Sequence, residues 1–147
     1  MSETLLLRTA ADVELAGAQW AARVQPGEVW ALHGPLGAGK TTLVRGLARA
    51  LGVPTDEVTS PTFGLCHVYR GDRLELVHAD LYRVEDPTEL DEAGLTELLD
   101  DPERLVVVEW PERAGDRLPQ RTQHLWLEVT PEGRVLRSAT EVPRASG

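Results

Sequence analysis

The sequence is poor in sulfur and in aromatic rings, with one cysteine, one methionine and one phenylalanine in 147 residues. A single thiol, Cys66, excludes a disulfide framework and any multi-cysteine metal cluster. Such a lone cysteine packs as a small apolar group more readily than it acts as a nucleophile. Long hydrophobic runs are also missing, and the apolar stretches fall far short of the roughly 20 residues that cross a bilayer. Residues 1–10, MSETLLLRTA, place an acid ahead of three leucines and show no cleavage pattern, unlike a secretion signal. A reducing, cytoplasmic setting without a membrane is expected. Positive charge is scarce too: 15 basic residues against 24 acidic ones give a net charge of −9, and the basic residues are scattered. A chain that gripped nucleic acid by itself would carry a basic stripe. Any RNA is therefore expected to be held by a protein partner.

No repeat or low-complexity tract divides the chain, so residues 1–147 read as one domain, large enough to bury a core without staples. Residues 143–147 are expected to form a disordered tail. The chain is organised around Gly34-Pro35-Leu36-Gly37-Ala38-Gly39-Lys40-Thr41, which fits G-x-x-x-x-G-K-[ST] at every fixed position. Val29 to Leu32 before it is a short apolar run that reads as a buried strand. Leu43, Val44, Leu47, Ala48 and Leu51 after it recur at helical spacing. Glycines let phosphate oxygens approach backbone N–H groups closely, and the first turn of the helix offers unpaired N–H groups to the same anion. Lys40 adds a charge for the β- and γ-phosphates, and the Thr41 hydroxyl is placed to ligate Mg²⁺. A nucleoside triphosphate site is expected here.

The rest of the chain reads as a mixed α/β pattern. Residues 4–8 form a first strand, Thr9 and Asp12 make a capping box, and Val13, Ala16, Trp20 and Val24 give an apolar helix face. Residues 63–69 and 74–81 are two extended runs joined through Gly71-Asp72, a hairpin signal that makes part of the sheet antiparallel. The preceding loop, Thr59-Ser60-Pro61-Thr62, is open to two readings: a switch loop in which Thr62 reaches the γ-phosphate or Mg²⁺, or a capped turn stiffened by Pro61. Asp80 ends the second run, either aimed at a metal or water, or paired to Arg83 or capping a turn. Asp86-Pro87-Thr88-Glu89 starts an acidic helix interrupted at Gly94. Leu105 to Val108 is the clearest buried strand and ends in Glu109, an acid suited to holding Mg²⁺ or orienting a water. Residues 123–129 and 134–139 form a final hairpin, whose Arg134 either points back to the nucleotide or, by default, is exposed.

Taken together, GPLGAGKTTL, TSPTF, HADLYR with DPTELDEAGL, and VVVEWPER resemble one family, TsaE, the small P-loop ATPases of bacterial tRNA threonylcarbamoyladenosine synthesis. The resemblance implies a three-layer α/β domain of the P-loop nucleotide hydrolase kind, with a mixed, partly antiparallel central sheet. It implies ATP binding through Gly37, Ala38, Gly39, Lys40, Thr41 and Thr42, with Arg134 near the nucleotide. Mg²⁺ is expected at Thr41 and Glu109, and catalysis at Lys40, Asp80 and Glu109. It also implies a partner, the TsaB–TsaD complex, which attaches a threonylcarbamoyl group to the adenosine beside the anticodon, so that tRNA is met only through that complex.

Two other classes compete. GAGKTT also opens thymidylate-kinase-like chains, but no lid-like pair of arginines is found and 147 residues leave little room for one. A nucleotide-sensing module without turnover is the other, and the retention of Lys40, Thr41, Asp80 and Glu109 weighs against it. No N-K-x-D guanine-reading motif occurs, which disfavours a GTPase.

Overall fold

Side-chain alternation along the central strands builds two cores, one on each face of a single sheet. The computed structural model describes residues 3–54 and 65–139. In chain order the elements are β1 (Glu3–Leu7), α1 (Ala10–Ala21), β2 (Val29–His33), α2 (Lys40–Ala50), β3 (Cys66–Arg70) and β4 (Glu75–Asp80). They continue with α3 (Thr88–Glu92), α4 (Leu95–Leu99), β5 (Leu105–Glu109), a 3-10 turn at Pro111–Ala114, β6 (Gln123–Thr130) and β7 (Gly133–Ala139). The Thr59–Thr62 loop, the start of the first hairpin strand and the expected tail lie outside the described residues.

The seven-stranded sheet has the order β1-β7-β6-β2-β5-β4-β3. Strand β2 lies at its centre, parallel to both β5 and β6, and β4 is parallel to β5. The outer pairs β3–β4, β6–β7 and β1–β7 are antiparallel, so the sheet is mixed, as the hairpin signals imply. A parallel strand covered on both faces needs apolar residues at every position rather than at alternate ones. Val29 to Leu32 and Leu105 to Val108 meet that demand and are all buried.

Trp30, Leu32, Leu76, Leu105 and Val107 point to one face, where they meet Val13, Trp20, Leu43 and Leu47 of α1 and α2. Val77, Ala79, Val106 and Val108 point to the other and meet Leu90, Leu95 and Leu99 of α3 and α4. The Thr9 hydroxyl accepts from the Asp12 N–H, and the Asp12 carboxylate accepts from the Thr9 N–H, so α1 starts on the capping box expected of it. Trp20 and Trp30 meet edge to face at 5.2 Å, which closes α1 onto the sheet. Helices α1 and α2 approach through Gly17 and Gly46, whose bare Cα atoms face the Leu43 and Glu14 carbonyls. A methyl group at Gly46 would lie 1.9 Å from the Glu14 oxygen.

The acidic segment forms two short helices broken at Gly94, as its pattern implies. The Asp86 carboxylate accepts from the Thr88 N–H, while the Glu89 carboxylate accepts from the N–H groups of Glu85 and Asp86. This reciprocal cap starts α3, and Gly94 at φ +79° breaks it from α4. Among the described residues no helix is long and apolar enough to cross a membrane.

Candidate functional site

The loop between β2 and α2 sits at the carboxyl end of the central strand. Its turns need positive φ, +77° at Gly37 and +103° at Gly39, which side-chain-bearing residues rarely adopt. Gly39 is the last residue before α2, so the unpaired N–H groups of the first helical turn open directly onto the loop. Gly37, Ala38, Gly39 and Thr42 line a cleft whose opposite wall is Leu7, Arg8, Thr9 and Ala10 from the β1–α1 corner. Gly133 and Arg134 close its third side.

Lys40 begins α2 and is buried, only 5 % exposed. Its ammonium donates to the Gly34 carbonyl at 2.7 Å and lies 3.7 Å from Glu109 Oε1. It also stands 4.1 Å above the Trp110 ring, a cation–π contact. Burial pushes the Lys40 pKa below its ordinary value, while the carboxylates of Glu109, Asp80 and Glu112 pull it back up. Trp110 reaches this position with a left-handed backbone, φ +56° and ψ +52°, which is strained for a bulky residue. Tyr82 packs against its ring, with centroids 5.1 Å apart.

Glu109 and Asp80 are register partners at the ends of parallel β5 and β4. The structure therefore brings three of the expected residues together: Lys40, Glu109 and Asp80. Asp80 also accepts from the Tyr82 N–H at 3.0 Å, the contact of the turn-capping reading. Thr41 stands half-buried in the first turn of α2. Arg134 is not the exposed residue that hairpin logic gives. Its Nε donates to the Ala38 carbonyl at 3.0 Å, and Nη2 reaches the Gly37 carbonyl at 3.4 Å.

Three neighbours escaped sequence reasoning. Trp110 stacks on the loop lysine. His78, fully buried on β4, contacts Glu109. Its signal was alternation, since His78 shares a strand face with Asp80 two residues on. His33, at the end of β2, meets His124 Nδ1 through Nε2 at 2.9 Å and stacks on Trp126 at 4.8 Å. That contact depends on β6 lying beside β2, which no local pattern reveals.

Fold and site together define an α/β domain with a mixed sheet and a glycine-rich strand–loop–helix at its centre. Comparison with known proteins gives the family. The profile of the threonylcarbamoyl adenosine biosynthesis protein TsaE matches residues 7–138, and the chain belongs to the TsaE family. It is 39% identical over 126 residues to the tRNA threonylcarbamoyladenosine biosynthesis protein TsaE of Treponema pallidum, covering 86% of this chain and 91% of that one. The protein of the same description from Mycobacterium tuberculosis is 38% identical, over 95% of this chain and 83% of its own. Among solved structures, the crystal structure of Bacillus subtilis YdiB superposes with a TM-score of 0.73 at 29% identity, covering 96% of this chain and 88% of that one.

Proposed function

We propose that the chain is a P-loop ATPase that binds ATP with Mg²⁺ at the Gly34–Thr42 loop and hydrolyses it slowly. On this reading it works in the cytoplasm on the TsaB–TsaD complex during threonylcarbamoylation of the adenosine beside the tRNA anticodon. The observation that carries the proposal is the convergence of buried Lys40 with Glu109 and Asp80 at the mouth of a glycine-rich loop that precedes a helix. The cleft beside the loop, walled by Arg8, Thr9 and Arg134, accommodates the rest of the nucleotide.

The donor chemistry fits the metal. Thr41 offers a hydroxyl and Glu109 a carboxylate, both hard oxygen donors, and Mg²⁺ is usually held by one or two carboxylates together with phosphates. Bound there, Mg²⁺ supplies positive charge beside the β- and γ-phosphates. The protein's own residues do the remaining work. Lys40 places its ammonium on the γ-side oxygens, backbone N–H groups of the loop and of the first helical turn hold the phosphates, and Asp80 orients the attacking water. Arg134 braces the loop from the β6–β7 hairpin.

Phosphoryl transfer is accelerated mainly by positioning and by charge around the γ-phosphate, and an arginine supplied by a partner can add roughly a thousandfold or more. Arg134 is engaged with loop carbonyls, and Arg83 is exposed. Slow turnover alone and a marked rise with TsaB–TsaD and tRNA are therefore expected. The test is ATP turnover with and without those partners, with Lys40→Ala as the blank. Fast turnover by the isolated chain, or phosphate transfer to a nucleoside instead of water, would move the reading to an autonomous ATPase or a kinase.

A further inference from the structure

His78 occupies a strand position that its surroundings would assign to an apolar residue. It lies between Leu76 and Asp80 on one face of β4, pairs in register with Val107 on β5, and is 0% exposed. A buried polar ring is costly unless hydrogen-bonded. Here the partner is Glu109 Oε2, 2.5 Å from His78 Nε2. A carboxylate only accepts, so the Nε2–H of His78 is the donor. Glu109 is diagonal to His78 across the β4–β5 ladder, because its direct register partner is Asp80. Its other oxygen, Oε1, faces Lys40 Nζ at 3.7 Å. The carboxylate is thus held from behind by one strand and approached in front by the loop lysine.

We propose that His78 is a positioning residue for Glu109, pinning one carboxylate oxygen so that the other is presented to the metal side of the loop. The proposal rests on the reading of Glu109 as the Mg²⁺-side carboxylate. Without the His78 contact, the glutamate side chain is free to rotate toward Lys40 and close the ion pair that now stands at 3.7 Å. The consequence falls first on Mg²⁺, since His78 touches Glu109, the metal-side carboxylate, through Oε2, while Lys40 faces the other oxygen. Partners that orient a metal-ligating group typically change metal affinity 10- to 100-fold when they are lost.

The test is the binding of a non-hydrolysable ATP analogue, followed by calorimetry across a Mg²⁺ titration. His78→Leu should raise the Mg²⁺ concentration at half-effect about tenfold, while analogue affinity without metal falls clearly less. His78→Gln, whose amide N–H reaches the position of Nε2, should restore the response to within about threefold. In a Glu109→Gln background, His78→Leu should add nothing. If the leucine variant does not fold, His78→Asn replaces it, because its amide stops at the position of Nδ1. An unchanged Mg²⁺ response, equal loss in the leucine and glutamine variants, or an equal fall in metal-free affinity would overturn the proposal. A wild-type chain whose analogue binding ignores Mg²⁺ would bring down the functional reading of the site as well; with a responsive wild type, the variants judge His78 alone.

Discussion

Arg134 donates to the Ala38 carbonyl across a chain separation of 96 residues, tying the last hairpin to the glycine-rich loop. The contact exists because β6 adds to β2 on the side opposite β5 and carries the β6–β7 turn to the loop. Arg134→Ala should weaken ATP binding about tenfold, or about 1.4 kcal/mol, by equilibrium titration. Arg134→Lys should recover little, since a point charge cannot replace a planar fork on two carbonyls. Wild-type affinity in both variants would show that the hairpin braces nothing the nucleotide feels.

Asp80 and Glu109 stand side by side but are expected to fail differently when neutralised. Glu109→Gln should raise the Mg²⁺ requirement without weakening metal-free nucleotide binding. Asp80→Asn should cut turnover about a hundredfold, the range of a lost acid–base group, with ATP affinity almost unchanged. Single-turnover rates together with binding curves separate the two. Equal losses in both quantities for both variants would refute the division.

Helices α1 and α2 leave no room for a side chain at Gly46. Gly46→Ala should force the helices apart and cost about 2 kcal/mol, within the usual range for overpacking. A shift of several degrees in melting temperature is the readout. Because α2 begins at Lys40, the same variant should also loosen nucleotide binding. Unchanged stability would mean that the helices separate without penalty.

The His33–His124 pair gives the fold a dependence on acid. Burial first, then the charges of His124 and Lys40, lower the His33 pKa from 6.5 to about 4, and burial lowers that of His124. Between these values the unfolded chain binds a proton that folded His33 does not. Stability present above pH 6.5 should therefore drain away as pH falls toward 4. The loss is on the order of 2 kcal/mol once the full shift of roughly 3.4 kcal/mol is discounted for the solvent screening of a half-buried ring. Melting temperatures across this range should fall less steeply for His33→Gln than for wild type. Parallel slopes would exclude His33 as the source.

Much of this was legible from local pattern. The apolar runs at Val29–Leu32 and Leu105–Val108, the helical spacing after Lys40 and the Thr9–Asp12 cap all carry signals within a few residues, and each element formed where its signal lies. The acids closing two strands were also readable as site candidates. Strand order was not. Trp110 over Lys40, His33 against His124 and Arg134 on Ala38 all follow from which strands flank β2, and β2's neighbours β5 and β6 lie about seventy or more residues on in the chain. The close approach at Gly17 and Gly46 was hidden for a related reason, since a glycine inside a helix reads as a weakness until its neighbour is known.

Lys40 is already fully employed before any nucleotide arrives, holding the Gly34 carbonyl and facing Glu109. On the proposed function, ligand entry is then a partner exchange and not a simple addition. Phosphate oxygens displace a carbonyl and a carboxylate from the ammonium, and Glu109, released, needs a new cation. Measured affinity is a difference between two sets of contacts, smaller than a count of the final ones implies. The exchange also couples its two halves: an anion that takes the lysine leaves Glu109 Oε1 without its cation, and a cation that takes the carboxylate leaves the lysine without its counter-charge. Each ligand prepares the place of the other, so nucleotide and metal are expected to bind with positive cooperativity, reciprocal in size.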